Sequence, residues 1–265
     1  MKRRALTSKL SDESEVVFET MKAAVFGMMA AFGSGAGYTK IMKPVRAKLH
    51  PERGYEALLQ EISGIVARHK VITGDVIVVA SKVFAIAQKR LVSSALLEKV
   101  GDPHRVAPKR MKQIVASLRR NTGLFVDAAD VICSDSSNVS PGYYSLLPLD
   151  PNKIAAELSD AIFKNSKVRV DIIISDTDSG YRQGLEIIGC PTVGGTPIGS
   201  TKGLTMSVCL RATVAAEFIR GKDLGIPIVI ARPTRRLLNR TGLGKHRGYI
   251  GRLDYSKEPG MHPPV

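Results

Sequence analysis

The stretch ITGDVIVVASKVFAIAQKR, Ile72 to Arg90, constrains the chain more than any other. Gly74-Asp75 is a turn signal, and Val76 to Ala80 is an unbroken apolar, mostly β-branched run. A strand with one wet face alternates polar with apolar residues, so a run without alternation predicts a strand buried on both faces, at the centre of a sheet. Ser81-Lys82 stands at its carboxyl end, where open α/β sheets hold ligands and where a helix beginning at Val83 would aim backbone N–H groups at an anion. A hydroxyl and an ammonium there suit a phosphate or carboxylate. The competing reading makes Ser81 a helix cap and Lys82 a solvated charge.

Val168 to Gly184, VRVDIIISDTDSGYRQG, repeats this logic. Asp171 to Ser175 is a second unbroken run with Asp176-Thr177-Asp178 at its carboxyl end, and a carboxylate there, with a hydroxyl beside it, suits magnesium held against a nucleotide phosphate. Val131 to Pro151, VICSDSSNVSPGYYSLLPLDP, reads as a short strand entering a polar loop. Its Asp135, Ser136, Ser137 and Asn138 offer one carboxylate and three neutral oxygens to a hard cation, or equally the hydrogen bonds of an Asx or Ser/Thr turn.

Around these stretches, Ile41 to Leu49 reads as a strand, and Glu56 to His69 as a helix burying Leu58, Leu59, Ile62, Ile65 and Val66. Lys109 to Arg120 reads as a second amphipathic helix whose basic face carries Lys109, Arg110, Lys112, Arg119 and Arg120, the pattern of a solvated face. Met206 to Arg220 is a helix stopped by Gly221, and Ile226 to Ala231 another buried strand. The glycine-rich Cys190 to Leu204, a loop or a strand pair with turns, lacks both the P-loop and the GxGxxG order. His50 and His69 have no partner at metal-ligand spacing and read as surface histidines.

At 265 residues the chain forms one large α/β domain or two modest ones, and 44% hydrophobic and 24% charged residues are ordinary for a globular protein. Aromatics are only 5% and tryptophan is absent, which disfavours a stacking platform for single-stranded nucleic acid. The net charge of +15 attracts phosphate-rich partners, and from Thr201 onward 12 Lys and Arg face 4 Asp and Glu, placing +8 in the final quarter. Cys133, Cys190 and Cys209 are too scattered for a disulfide framework or a zinc site, so a reducing cytoplasm fits best. The apolar run Met21 to Phe32 is about half a membrane span and follows the acidic Ser11 to Glu15; it is expected to pack as a helix on the core or on a partner subunit, not to enter a membrane.

Four stretches in order, GDVIVVASK, SDSSNVSPGYYSLLPLDP, DIIISDT and AAEFIRGKDLGIPIVIARP, resemble the signature segments of the coenzyme F(420)-0:γ-glutamyl ligase family, over roughly Lys40 to Pro233. The resemblance implies an α/β fold of the family's own kind, an intertwined homodimer, and GTP-driven joining of L-glutamate to a phosphorylated deazaflavin coenzyme through an acyl phosphate, with magnesium or manganese. It implies that Ser81 and Lys82 contact the nucleotide, with Asn138 beside it, and that Asp135, Asp176 and Thr177 hold the metal. No side-chain nucleophile is required, because the amine of glutamate attacks. On this reading residues 1–36 are a helical extension, 37–233 the ligase-like domain, in one piece or two subdomains, and 234–265 a basic, glycine-containing tail.

The departures cluster at the same site. A second Ser-Lys expected four residues after the first is Ala85-Ile86, an expected acidic residue and glycine are Gln88-Lys89, and SDTFGRPWR becomes SDTDSGYR. A metal-ligating Gly-Gln becomes Gly221-Lys222. An ammonium has no acceptor, so Lys222 is expected either to turn away or to replace one cation and neutralise the nucleotide directly. Two functions follow: a GTP- or ATP-dependent amide ligase, or a diverged, non-catalytic protein that binds a phosphorylated ligand, or less favourably nucleic acid, on the ligase scaffold.

Overall fold

The computed structural model describes residues 41–100, 106–136, 139–176, 181–183, 186–188, 196–204 and 226–232, and the helical positions Cys209, Ala212, Thr213 and Ala216. In chain order the elements are β1 (Ile41–Val45), α1 (Tyr55–Ala67), β2 (Val76–Ala80), α2 (Ser81–Ala87), β3 (Leu91–Ser93), α3 (Ser94–Leu97), α4 (Pro108–Thr122), α5 (Ala128–Ile132), β4 (Tyr143–Ser145), α6 (Pro151–Ser166), β5 (Asp171–Asp176), β6 (Tyr181–Gln183), β7 (Glu186–Ile188), β8 (Thr196–Ser200) and β9 (Ile228–Arg232). Five strands form one mixed sheet in the order β1-β9-β2-β5-β8. Its centre is the parallel pair β2–β5, with Ala80 opposite Ser175, and the neighbouring pairs are antiparallel.

The unbroken apolar runs sit where expected, because both sheet faces are covered. Ile77, Val79, Ile172, Ile174, Ile228 and Ile230 point to one side, against Leu58, Leu59, Ile62 and Val66 of α1 and Ile154, Leu158 and Ile162 of α6. Val76, Val78, Ile173, Val229 and Ala231 point to the other, against Leu204, Cys209, Ala212 and Ala216. Each fully buried aliphatic side chain contributes about 1.5–3 kcal/mol over its exposed state, so β2 alone is a large share of the core. A third buried cluster, with Val92, Leu97, Met111, Ile114, Leu118, Val126, Val131 and Leu146, lies between α2 and α6 in sequence.

Three expectations from the sequence are corrected. The helix after β2 begins at Ser81, two residues earlier than Val83, with Ala80 as its N-cap, so Ser81 and Lys82 occupy its first turn and Ser81 does not cap it. Val131-Ile132 ends the helix α5 and is not a strand. The reason is local: the Asp127 carboxylate accepts from Asp130 N–H at 3.0 Å while Asp130 accepts from Asp127 N–H at 2.9 Å, a capping box that outweighs two β-branched residues. The strand expected through Leu49 ends at Val45. Residues 1–36, most of Met206–Arg220, Lys222 and the basic tail lie outside the described residues.

Candidate functional site

The carboxyl ends of β2 and β5 define one edge of the sheet. Since Ala80 pairs with Ser175 in parallel register, the residues that follow this pair are Ser81, the first of α2, and Asp176, the last of β5. Asp176 is 6% exposed and shares strand parity with Ile172 and Ile174, which places it on the face that carries α1, α2 and α6. A bulge in β8 skips Ile198 between the partners of Ile174 and Ser175, as strands do where an edge is re-aimed. At the same end Gly199 approaches Pro151 so closely that a Cβ on it would stand 2.5 Å from the Pro151 carbonyl carbon.

Asp135 reaches this edge from the third cluster. Its backbone makes an isolated bridge with Ser145, accepting from Ser145 N–H at 2.8 Å and donating to Ser145 O at 3.1 Å. Its carboxylate Oδ2 lies against the Lys82 ammonium as an ion pair, the two side chains 20% and 15% exposed. Thus three sequence-predicted residues, Ser81, Lys82 and Asp135, meet at one edge, and Asp176 occupies the neighbouring strand end. Asn138, Thr177 and Lys222 lie outside the described residues.

Beneath these residues is a network that the sequence reading missed. Arg90 is 1% exposed and Asp130 is fully buried; Arg90 Nη2 donates to Asp130 Oδ1 at 3.0 Å and Nη1 to Phe125 O at 2.9 Å, while Nε donates to Leu147 O. Asp130 Oδ1 also accepts from Leu147 N–H at 3.1 Å. A buried pair of this kind is tolerated only because each charge meets several hydrogen-bonding partners. It locks the end of α2 to the start of α5 and to the chain leaving β4, so it fixes the spacing of Lys82 and Asp135. Gln88 adds a second tie, accepting from Leu149 N–H at 2.7 Å and donating to Leu149 O at 3.3 Å.

The donor set fits a hard cation and a phosphate. Magnesium is usually held by one or two carboxylates, with water and substrate oxygens completing its shell. Asp135 and Asp176 are such carboxylates; the buried Ser175 hydroxyl, which has no hydrogen-bond partner among the described residues, has the strand parity of Ile173 and belongs to the opposite face of the sheet. No group of three or more His, Cys, Asp or Glu assembles as a metal site among the described residues, so an all-protein cage is not the arrangement found there. Lys82 supplies a compact positive charge within contact of Asp135.

A sheet edge that gathers the strand-end carboxylate Asp176, the bridge carboxylate Asp135, Lys82 and the Ser81 hydroxyl offers groups suited to a cation and a phosphate. The chain matches the family model described as F420-0:Gamma-glutamyl ligase over residues 55–232 and belongs to that family. It is 25% identical over 226 residues to the coenzyme F420:L-glutamate ligase of Methanopyrus kandleri, a match covering 74% of this chain and 87% of that protein. The matched span holds Ser81, Lys82, Asp135 and Asp176. Among the described residues no helix is long and apolar enough to cross a membrane.

Proposed function

We propose that the protein is a nucleotide-dependent ligase that forms an amide between L-glutamate and a phosphorylated, deazaflavin-type acid. The observation that supports this reading is the meeting of Lys82 and Asp135 beside the strand end that carries Asp176, within a family whose description is a γ-glutamyl ligase. Amide formation from a carboxylate needs an activated acyl group, and a nucleoside triphosphate supplies it: a carboxylate oxygen attacks the γ-phosphorus and the nucleoside diphosphate leaves. The glutamate amine then attacks the acyl carbon, phosphate departs and the amine proton is lost. Both steps concentrate negative charge on phosphoryl oxygens, so positioning and charge neutralisation outweigh any side-chain nucleophile.

In this scheme Asp135 and Asp176, with Thr177, would hold magnesium or manganese, which would supply charge neutralisation at the phosphates. Ser81, Lys82 and Asn138 contact the nucleotide, and Lys222 adds a positive charge where the family presents a neutral glutamine. The Lys82 ammonium, paired with Asp135 here, would also serve a phosphate oxygen, and the Asp135 carboxylate would then be available to a cation. A homodimer is the expected working unit.

The test is incubation with GTP or ATP, magnesium, glutamate and the deazaflavin coenzyme lacking its glutamyl tail. Phosphate release coupled to a product heavier by one glutamyl unit is the expected result. Nucleotide binding without phosphate release under any of these combinations would overturn the ligase reading and leave a binding protein on the same scaffold.

A further inference from the structure

Away from the Ser81–Asp176 edge, the segment leaving β1 and the outer flank of α1 enclose a groove of about 420 Å³. Among the described residues its walls carry Arg46, Lys48, Arg68 and His69 against a single acid, Glu61. That acid is already engaged. Glu61 Oε1 lies 2.7 Å from His50 Nδ1 and Oε2 accepts from His50 N–H at 3.0 Å. Burial alone would raise the Glu61 carboxyl, yet those two bonds, the charge of His50 and the Arg53 guanidinium hold it below the usual carboxylate range. Burial lowers the His69 imidazole most, and the charges of Lys43 and Arg68 lower it further, so the field around His69 is positive.

Gly64 forms part of the groove lining, at the start of the last turn of α1. A helical glycine costs about 1 kcal/mol relative to alanine, and no close packing requires it here, since a Cβ would meet only the Arg68 Nη1 at 3.9 Å. What the missing side chain preserves is room beside the cations. We infer that this groove, lined by Arg46, Lys48, Arg68 and His69 with Gly64 keeping it open, is a second anion site that binds the phosphoryl group of a small molecule. The inference is independent of the ligase reading, because none of Ser81, Lys82, Asp135 or Asp176 lines the groove.

Lys48 and Arg68 are exposed, so their attraction is screened by salt and the phosphoryl group binds more weakly as ionic strength rises. The experiment uses the full chain and follows the His69 imidazole signal by NMR, assigned by its loss in His69→Gln, through pH titrations with and without pyrophosphate, inorganic phosphate and glycerol phosphate. An anion in the groove offsets the field of Lys43 and Arg68, so the His69 pKa is expected to rise on saturation. The Lys48→Gln/Arg68→Gln protein should bind at least tenfold more weakly, and Gly64→Leu, which fills the groove with a better helix former and leaves every charge in place, should do the same. Lys112→Gln, on the exposed face of α4, should bind as the wild type does. Tighter binding of glycerol phosphate than of phosphate identifies an organic phosphate as the source, and equal binding identifies the phosphoryl group alone. A His69 pKa that stays fixed at saturating pyrophosphate, or a Gly64→Leu protein that binds as well as wild type, overturns the inference and leaves only diffuse surface charge.

Discussion

Arg232 grips the fully buried carboxylate of Asp75 through two bonds, Nε to Oδ1 at 2.8 Å and Nη2 to Oδ2 at 2.9 Å. Asp75 Oδ2 also accepts from Ile72 N–H at 2.9 Å, closing the turn that precedes β2, and Asp75 O accepts from Asp171 N–H at 2.9 Å. One residue therefore ties the starts of β2 and β5 to the last residue of β9. The bonds to Asp75 raise the Arg232 guanidinium above its already high ordinary value. Because breaking a buried pair strands the remaining charge, Arg232→Met is expected to cost about 3–5 kcal/mol in urea unfolding. The Asp75→Asn/Arg232→Met double variant should cost clearly less than the sum of the single variants. Additive effects would show that the pair contributes no coupling.

Lys89 follows α2 with φ of 56°, in the left-handed region that a Cβ disfavours. This is the position where the family pattern has glycine, and the backbone supplies the reason. Lys89→Gly is expected to stabilise the fold by about 1 kcal/mol, since relief of left-handed strain exceeds the added freedom of the unfolded chain. A lowered urea midpoint at constant m-value would contradict this.

The close approach of Gly199 to Pro151 makes the opposite forecast at a glycine. A methyl there meets backbone carbon and oxygen at 2.5 and 2.7 Å, which cannot rotate away, so β8 and the start of α6 must separate. Gly199→Ala is expected to cost about 3 kcal/mol. Since β8 pairs with Asp176 through Thr196, nucleotide affinity should fall as well. Wild-type thermal stability in that variant would refute the packing assignment.

Replacing Lys82 separates its two partners. If the ammonium serves both Asp135 and a phosphate, Lys82→Met should raise the nucleotide KM by about 10–100-fold, the loss of one charge-assisted hydrogen bond, while lowering the magnesium concentration needed for half-maximal activity. Asp135→Asn and Asp176→Asn should each abolish metal-dependent turnover without loss of folding. A Lys82→Met enzyme with unchanged demand for both ligands would remove Lys82 from the site.

Asp171 provides a pH test. Burial raises its carboxyl above the ordinary range, opposed by the Thr201 hydroxyl, which donates to Oδ1 at 2.8 Å. The native state thus holds this proton more tightly than the unfolded chain, and the stabilisation it brings is complete below the unfolded carboxyl range and is lost as pH rises through the raised folded value. Asp171→Asn keeps an acceptor for Thr201 and carries no charge, so it should be more stable than wild type at neutral pH, with the difference vanishing in acid. A difference that does not change between neutral and acid pH would count against this account.

Those parts of the fold governed by contiguous residues were legible in the sequence. Val76–Ala80 and Asp171–Asp176 announce central strands because both faces of each must be dry, and Leu58, Leu59, Ile62 and Val66 mark the buried side of α1. Within the site, Ser81 and Lys82 could be nominated from a strand end and Asp135 from a polar loop, but their meeting depends on Arg90 and Asp130, which lie 40 residues apart and carry no local signal of pairing. The Asp75–Arg232 pair, 157 residues apart, is hidden for the same reason and made Asp75 look like a simple turn residue. Helix α6 was overlooked although Ile154, Ala155, Leu158 and Ile162 have helical spacing after Asp150-Pro151. The capping box of α5 was also readable, as DAAD, and was obscured by the β-branched pair that follows it.

The register of β1 on β9 sets Ile41 directly opposite Arg232. The two ends of the sheet-forming chain therefore exit as neighbours, at the amino ends of β1 and β2 and on the far side from Ser81 and Asp176. Topologically the core is nearly a closed ring: a short linker from 232 to 41 would join it, and new ends could be cut in an exposed loop such as that at Gly123. The chain therefore enters the sheet at Ile41 and leaves it at Arg232 on the pole opposite Ser81 and Asp176.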